Sequence, residues 1–410
     1  MSRATLPSGW EIVKFEEMFD RLTRKNETGN KNVLTISARH GLIKQEEFFN
    51  KSVASSDLSN YYLLERGDFA YNKSYSAGYN FGAFKQLTQY DSGVVSPLYI
   101  CFSVNEKNKC PEFYVHYFES MLLDREVKAF AQEGARNHGL LNISIGDFFS
   151  MRLPLPPLHE QKAITKILTT QDILIETKIR LIDEKKQQKR WYIQNLLTGN
   201  IRLPGYNEKW KQVRFGDVCT GFNYGLNAAA IRYDGVNKYL RITDIDESSR
   251  KFLTNSLSSP AGELHENCLL KENDLIFART GASVGKTYLY DTSDGKVFYA
   301  GYLICCNVRI AYNARFVFGQ TFTKEYNKWV KIFSMRSGQP GINAEEYKTY
   351  TFLCPPLPEQ VAIAERLIAA DREIELLTQE LEQQKLIKKY LMQQLLTGKK
   401  CVKEVATNEL

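Results

Sequence analysis

The sequence Gly-Lys-Thr at 285–287 matches the last three residues of a nucleotide-binding P-loop motif. In such a loop the backbone N–H groups surround the phosphates, the Lys reaches the β- and γ-phosphates, and the Thr hydroxyl binds Mg²⁺. The motif needs another Gly separated by four residues from the second one, and Thr280 occupies that position. A helix should follow the Lys-Thr pair, whereas the residues after Thr287 predict a strand and a turn. The spacing therefore favours a tight turn between two strands, and a P-loop NTPase that uses Lys286 and Thr287 is kept as an alternative.

Other residue types that support catalysis or metal binding show no matching pattern. The eight Cys form no C-x-x-C pair, and the five His show no metal-like spacing with them. Neither an Asn-Pro-Pro-aromatic motif nor a Gly-rich methyl-donor loop is present, and the charged run 183–186 is most simply a solvated helix face. We expect reduced structural thiols, no metal site and no catalytic residues.

Composition indicates a globular chain of ordinary type. It has 410 residues, of which 43% are hydrophobic and 25% charged, enough for two or more domains. The net charge of +7 is compatible with a polyanionic partner and equally with an ordinary basic enzyme. No apolar run of about 18 residues could span a membrane, and the first residues lack the apolar core of a signal peptide. We expect a cytoplasmic protein without a membrane partner.

The chain contains an internal repeat with a fixed offset. The stretch PPLHEQ at 156–161 recurs as PPLPEQ at 355–360, and NLLTG at 195–199 recurs as QLLTG at 394–398. Both pairs differ by 199 residues (160 to 359, 196 to 395). Between these landmarks almost forty residues contain neither Pro nor Gly, which predicts a long helix of roughly 55–60 Å in each half.

Heptad spacing predicts what the two helices contact. One series of positions is largely apolar and matches between the repeats, while the companion series is mixed. The first series is Gln161, Leu168, Ile175, Ile182, Lys189 and Leu196, matched by Gln360, Leu367, Ile374, Leu381, Lys388 and Leu395. Two amphipathic helices on unrelated cores would also fit, but the shared register favours pairing of the helices as a coiled coil.

The segments that precede the helices are related more loosely. Residues 67–74, GDFAYNKS, correspond to 273–280, NDLIFART, so that Lys73 lies opposite Arg279 and Ser74 opposite Thr280. Short runs of Val, Ile, Tyr and Phe bounded by Gly, Asn and Asp predict strands, and helical patches occur at 112–130 and around 322–333. The sequence therefore predicts two mixed α+β halves, each followed by a long helix.

These motifs together resemble the DNA-specificity subunit of type I restriction-modification systems. The resemblance rests on the duplicated P-P-L-x-E-Q and L-L-T-G, on GDFAYNKS and DLIFARTGASVG, and on YLRITD at 239–244, and it covers all but the tail after about Lys400. It implies an α+β fold with two repeated target-recognition domains, separated by two long helices that pair as an antiparallel coiled coil. The implied limits are domain 1 at 1–153, the family's conserved helical spacer 1 at 154–200, domain 2 at 201–353, spacer 2 at 354–398 and a flexible tail at 399–410.

The resemblance also implies a function and partners. Each domain would recognise half of a bipartite, asymmetric site in double-stranded DNA, for DNA methylation and for restriction of foreign DNA. Two methyltransferase subunits and restriction subunits would carry the catalysis, with S-adenosylmethionine, ATP and magnesium as their cofactors and none bound by this chain. A coiled-coil adaptor that only tethers partners is a further alternative.

Loops with cations, amides and hydroxyl groups are the candidates for DNA contact, because such groups bind base edges and phosphates. For any single member, ordinary loop capping or a surface charge is the alternative to DNA contact, and the family's use of such loops is what favours DNA contact. The DNA-binding candidates are Arg39, His40, Asn72, Lys73, Ser74, Tyr75, Arg136, Asn137, Arg241, Thr243, Arg279, Thr280, Ser283, Lys286, Arg336 and Gln339.

Overall fold

The computed structural model describes residues 6–37, 40–49, 54–74, 78–130, 132–133, 141–400 and 402. Contacts divide the chain into two units. Unit 1 comprises Met1–Lys178 and Glu380–Leu410, and unit 2 comprises Ile179–Gln379. Both unit limits fall inside the two long helices.

Unit 1 contains short strands and helices, followed by the start of a long helix. Its strands are β1 Glu11–Lys14, β2 Phe19–Leu22, β3 Leu34–Ser37, β4 Gly41–Lys44, β5 Tyr62–Glu65, β6 Phe69–Asn72, β7 Ala83–Gln86, β8 Ser92–Val95, β9 Ile100–Val104, β10 Gln132–Glu133, β11 Leu141–Asn142 and β12 Arg152–Leu155. Its helices are α1 Gln45–Phe49, α2 Pro111–Glu119, α3 Asp124–Phe130 and α4 Ile145–Ser150, and α5 is the long helix Leu158–Leu196.

Unit 2 repeats this plan with its own strands and a second long helix. Its strands are β13 Lys211–Arg214, β14 Cys219–Tyr224, β15 Ala230–Arg232, β16 Lys238–Leu240, β17 Ser258–Pro260, β18 Asp274–Ala278, β19 Thr287–Leu289, β20 Val297–Tyr299, β21 Leu303–Val308 and β22 Thr351–Cys354. Its helices are α6 Phe215–Val218, α7 Ala314–Gln320, α8 Lys324–Phe333 and α9 Ala344–Lys348, and α10 is the long helix Leu357–Leu395.

The sheets confirm that the two halves share one architecture. A four-stranded sheet has the order β2-β9-β6-β7 in unit 1 and β14-β21-β18-β19 in unit 2. The first and last strands of each half pair antiparallel, β1 with β12 and β13 with β22. Each half therefore closes on itself just before its long helix begins. The predicted α+β class with two repeated halves is confirmed.

Fully buried phenylalanines occupy corresponding positions in the two cores, Phe15 in unit 1 and Phe215 in unit 2. Phe15 follows β1, is fully buried and packs edge-on against Phe102. Phe215 follows β13, is equally buried and packs against Phe277. Burial of a Phe side chain stabilises a fold by about 1.5–3 kcal/mol, so these repeated positions contribute substantially to each half.

The P-P-L-x-E-Q motif joins the beginning of each long helix to its own half. The carboxylate of Glu160 accepts a hydrogen bond from Trp10 Nε1 at 2.9 Å, and that of Glu359 accepts one from Trp210 Nε1 at 3.0 Å. The following Gln bonds back within its own motif, with Nε2 of Gln161 2.7 Å from the Pro156 carbonyl. The same bond recurs from Gln360 to Pro355 at 2.8 Å. The Glu and Gln of the repeated motif thus hold the first turn of each long helix against its own half.

The L-L-T-G motif ends each long helix inside the other half's core. Leu196 and Leu197 are buried in the core of unit 2, and Leu395 and Leu396 are buried in the core of unit 1. The Thr hydroxyls of both motifs donate to a carbonyl of the preceding turn at 2.6 Å. Gly199 and Gly398 then adopt positive φ, which ends the helix.

Contacts between α5 and α10 confirm the antiparallel pairing. Lys178 bonds Glu380 at 2.7 Å, whereas Lys185, further along α5, bonds Glu373, which lies earlier in α10. Buried and half-buried positions follow the predicted heptads in both helices. The seam is mixed along its length, since Ile182 and Leu381 are buried in it while Gln171 Nε2 lies 2.6 Å from Gln384 Oε1. Among the described residues, no helix is long and apolar enough to cross a membrane.

Candidate nucleic-acid interface

Four of the candidate DNA-binding residues lie outside the described residues: Arg39, Tyr75, Arg136 and Asn137. The remaining candidates of unit 1 occupy two loops. His40 is exposed in the bend between β3 and β4, where its N–H donates to Ser37 Oγ at 3.2 Å. Its carbonyl accepts from Gln89 Nε2 at 3.2 Å, which holds the bend against the loop after β7.

The second loop of unit 1 begins where β6 ends. Asn72 Oδ1 accepts a hydrogen bond from the N–H of Ser74 at 3.0 Å, a short turn that sends the chain out of the sheet. The carbonyl of Lys73 accepts from the N–H of Leu141 at 3.1 Å. Asn72, Lys73 and Ser74 are all half-buried, so their polar groups lie at the surface of a fixed loop.

In unit 2 the stretch that resembles a P-loop is a β-hairpin. β18 pairs antiparallel with β19, so the strand predicted after Lys286 is confirmed. Gly285 has φ +82°, and a Cβ there would lie 2.6 Å from Val330 Cγ1, which explains the glycine. Lys286 is 4% exposed, and its ammonium group donates to the Ile245 carbonyl at 3.0 Å and pairs with Glu247. These contacts favour a structural role, since the charge of Lys286 is used inside the fold.

Arg279 directly follows β18, at the position that corresponds to Lys73. Its N–H donates to the Tyr302 carbonyl at 3.1 Å, and its carbonyl accepts from Ile342 N–H at 2.9 Å. The guanidinium lies over the ring of Tyr224, 4.8 Å from the centroid, and Nε is buried without a hydrogen-bond partner. Among the described residues Arg279 forms no ion pair.

The loop 336–341 lies beside the turn that begins at Arg279. Thr280 forms a β-bridge with Gly341, and the N–H of Gly281 donates to the Pro340 carbonyl at 3.0 Å. A Cβ on Gly281 would lie 3.2 Å from Nε2 of Gln339, so the Gln339 amide is adjacent to this turn. Ser283 lies in the same turn, where its carbonyl accepts from the Lys286 N–H at 3.0 Å. The structure thus brings Gln339 next to Arg279, Thr280 and Ser283, from which it is far apart in the sequence.

Two other arginines among the candidates are engaged by carboxylates. Arg241 forms two 2.8 Å bonds with Asp244, and this hydrogen bonding raises the pKa of Arg241 above its ordinary value. Thr243 is exposed beside this pair, with Oγ1 3.3 Å from Asp244. Arg336 binds both oxygens of Glu346 at 2.5 and 2.7 Å. A guanidinium held in this way orders its own loop, and the N–H groups that bond the carboxylate are not available to another acceptor.

Two tyrosines belong to this surface and were missed by sequence reasoning. Tyr224, 45% exposed, lies under Arg279, and Tyr302, 62% exposed, lines a cleft of about 300 Å³ together with Arg241 and Thr243. Each has a Gly as its chain neighbour, in NYG and GYL. An aromatic residue beside a glycine in a predicted loop was the available signal.

The described residues contain no group of three or more His, Cys, Asp or Glu that could hold a metal ion. Seven cysteines are described, and all are buried with free thiols. Burial raises the pKa of Cys101 and of Cys354 to about 12, which keeps both thiols protonated at neutral pH.

Comparisons with known proteins match both halves. The family model for the type I restriction modification DNA specificity domain matches residues 7–187 and again 207–385. The MjaVIII type I restriction enzyme specificity subunit of Methanocaldococcus jannaschii is 27% identical over 323 residues, which are 74% of this chain and 73% of that protein. The EcoKI type I restriction enzyme specificity subunit of Escherichia coli is 25% identical over 310 residues, 70% of this chain and 61% of that protein.

A solved structure also shares the fold. The solved structure concerns complex assembly and conformational transition of the type I R-M system. It superposes on the present chain with a TM-score of 0.60 at 16% sequence identity. The superposition covers 97% of this chain and 100% of the solved one. The likeness therefore extends to both globular halves and both long helices.

Proposed function

Because this chain belongs to the type I restriction-modification DNA specificity family, we propose that it recognises a bipartite, asymmetric site in duplex DNA. Each globular half recognises one part of the site. The chain performs no catalysis itself, and it brings the site to methyltransferase and restriction subunits in the cytoplasm. It binds no cofactor, and the partner subunits use S-adenosylmethionine, ATP and magnesium.

The observation that carries this proposal is the repeated position of the candidate loops. β6 and β18 occupy the same place in sheets of identical order. Asn72-Lys73-Ser74 continues from the end of β6, and Arg279-Thr280 continues from the end of β18. Both halves thus place a cation and hydroxyl groups at equivalent loops. Such groups bind phosphates and base edges, so each half has what it needs to contact one half-site.

Exposed apolar side chains on the long helices support the docking of partner subunits. Ile173, Trp191, Leu376 and Leu386 are each about half exposed or more, on helices that are otherwise rich in charge. Contiguous apolar patches mark protein interfaces, and these four side chains are the candidates for partner contact on the long helices. We propose that two methyltransferase subunits use these helices and that the restriction subunits join the complex so formed.

Mapping of adenine methylation tests the proposal. The full chain is expressed with its methyltransferase subunit in cells that otherwise lack adenine methylation, and methylated positions are determined genome-wide. We expect one motif made of two specific parts with a gap between them. Absence of methylation, or a single ungapped motif, contradicts the proposal that the chain recognises a bipartite site.

Binding experiments separate the two alternatives. A coiled-coil adaptor would give no footprint on DNA, whereas the proposed complex protects two half-sites. A P-loop NTPase would bind ATP through Lys286, whereas we expect no ATP binding by the isolated chain, since Lys286 is bonded inside the fold.

A further inference from the structure

The cations in the candidate loops of unit 2 differ in how their charge is used. Arg241 pairs with Asp244, Arg336 pairs with Glu346, and Lys286 pairs with Glu247. Among the described residues Arg279 pairs with no carboxylate, and its guanidinium contacts the Tyr224 ring instead. A ring face attracts the cation without occupying the planar fork of N–H donors. Arg279 therefore retains donors that the other three use within the fold.

The position of Arg279 is fixed before any ligand binds. Both of its backbone polar groups are bonded, to Tyr302 and to Ile342, in a loop that also bridges to Gly341. The hydroxyl of Tyr224 accepts from the Ala344 N–H at 3.3 Å, so the ring that supports the guanidinium is held as well. A side chain ordered in this way loses little rotamer entropy on binding.

The surroundings of Arg279 favour a base over a phosphate. The neighbouring groups include the exposed Gln339 amide, which is uncharged and planar, and the hydroxyls of Thr280 and Ser283. The other cations of these two loops, Lys286 and Arg336, are paired with carboxylates, so Arg279 does not belong to a cluster of unpaired cations of the kind that binds phosphates, whereas base edges are met by planar donors and acceptors. The guanidinium fork matches O6 and N7 of guanine, which accept two hydrogen bonds from one arginine.

We infer that Arg279 recognises a guanine in the half-site bound by unit 2, and that Tyr224 is the positioning residue that aims its guanidinium. This inference rests on the proposed function and adds to it one base and the pair of residues that selects it. Arg241 and Arg336 hold their loops in place and select no base.

A randomised duplex pool tests the assignment directly. The full chain in complex with its methyltransferase subunits is incubated with the pool, and bound sequences are compared for the wild type, Arg279→Gln and Arg309→Gln. Arg309 is an exposed arginine of unit 2 outside the candidate loops, so it is the matched control. We expect Arg279→Gln to lose preference for G at one position by between about fivefold and about 150-fold. The other half-site and the Arg309→Gln profile should match the wild type.

Variants of Tyr224 test the positioning role. Tyr224→Phe keeps the ring and should keep the preference for G. Tyr224→Leu removes the ring and should reduce that preference at the same position, while the melting temperature and the other positions stay close to those of the wild type. A uniform weakening of binding to all sequences by Tyr224→Leu, with unchanged preference for G, would show that the ring acts only in folding and would overturn its role.

Arg279→Lys separates a base contact from a phosphate contact, because it keeps the charge and removes the fork. We expect it to lose the preference for G. Retained preference in Arg279→Lys, a uniform loss of affinity in Arg279→Gln, or a selected base other than G would overturn the inference while leaving the proposed function intact. If the wild-type complex selects no gapped motif, the proposed function itself fails.

Discussion

Glu359 shows what one buried carboxylate does in the repeated motif. It is 1% exposed, accepts from Trp210, and forms two 2.6 Å bonds with Arg202. We expect Glu359→Gln to lower the free energy of unfolding of unit 2, because the neutral amide cannot accept from all these donors and leaves the Arg202 charge without a carboxylate. Chemical denaturation followed by tryptophan fluorescence measures this loss.

Glu160 provides the matched comparison within the same chain. It holds only Trp10 among the described residues and is half-buried, so Glu160→Gln should cost about 1 kcal/mol. Equal losses for the two variants would show that the Arg202 bonds contribute nothing to stability.

His116 is a buried titratable group where α2 meets both long helices. Its Nε2 lies 3.1 Å from Thr169 Oγ1, and Asp172 and Lys388 are its charged neighbours on α5 and α10. Burial lowers the pKa of His116 below its ordinary 6.5, while the Asp172 carboxylate opposes that shift. The folded protein therefore prefers the neutral ring. This contribution to stability is present above pH 6.5 and is lost as the pH falls through the lowered value.

Melting temperatures of the wild type and of His116→Gln across this range test the effect. Below about pH 6.5 the wild type should lose stability relative to the variant, which has no group to protonate at that position. Burial raises the pKa of Asp124 to about 6, and its contribution is lost as the pH rises. Asp124 is present in both proteins, so it cancels in the difference. Parallel curves would mean that His116 titrates normally.

The contacts within the candidate loops differ in how far the sequence alone determines them. The Arg241–Asp244 pair spans three residues, and its capping role was open to prediction from that spacing. The pairing of Lys286 with Glu247 joins residues distant in the chain, and only the packing of the hairpin on the 241–245 turn determines it. Tyr224 and Arg279 come together for the same reason, through the fold of the sheet.

At the scale of elements, the long helices were the most predictable part of the chain. Each has 39 residues, close to the length predicted from the absence of Pro and Gly. The heptads predicted a paired seam but not which end contacts which half. The L-L-T-G motif determines where the end of each long helix packs, because its leucines enter the core of the opposite half.

Gly398 tests whether this helix ending matters for stability. It has φ +66°, and a Cβ there would lie 2.2 Å from Pro7 Cγ. We expect Gly398→Ala to destabilise unit 1 by about 1–3 kcal/mol, through backbone strain and the displacement of Pro7. Gly205→Ala is the control, because Gly205 has φ +89° and no atom lies within 4 Å of the position that its new methyl group would take. It should show the strain alone, about 1 kcal/mol, and an equal effect of both changes would exclude the clash.

At the scale of the whole molecule, the repeat makes each half depend on both long helices. The first half closes through β1 and β12, sends out α5, and receives the end of α10 in its core. The second half does the same with the roles of α5 and α10 exchanged. A change in the length of one helix alone would therefore break the register of its ion pairs with the other.

Matched insertions test whether the helix pair determines the spacing of the two half-sites. Four helix-forming residues are inserted between Ile179 and Arg180 in α5 and four between Thr378 and Gln379 in α10. The Lys178–Glu380 and Lys185–Glu373 pairs lie on opposite sides of these points and can both be retained. Four residues add about 6 Å of helix and about 40° of rotation beyond one turn. One base pair of DNA adds about 3.4 Å and, at roughly 10 pairs per turn, about 35°.

We therefore expect the doubly inserted chain to direct methylation to a motif with both half-sites unchanged and a spacer longer by one or two base pairs. Insertion in α5 alone displaces Lys185 from Glu373 and should reduce methylation without producing a longer spacer. The original spacer in the doubly inserted chain would show that the helices do not determine the distance. A change in the bases of either half-site would show that base recognition is not confined to the two globular halves, because the insertions do not alter the candidate loops of either half.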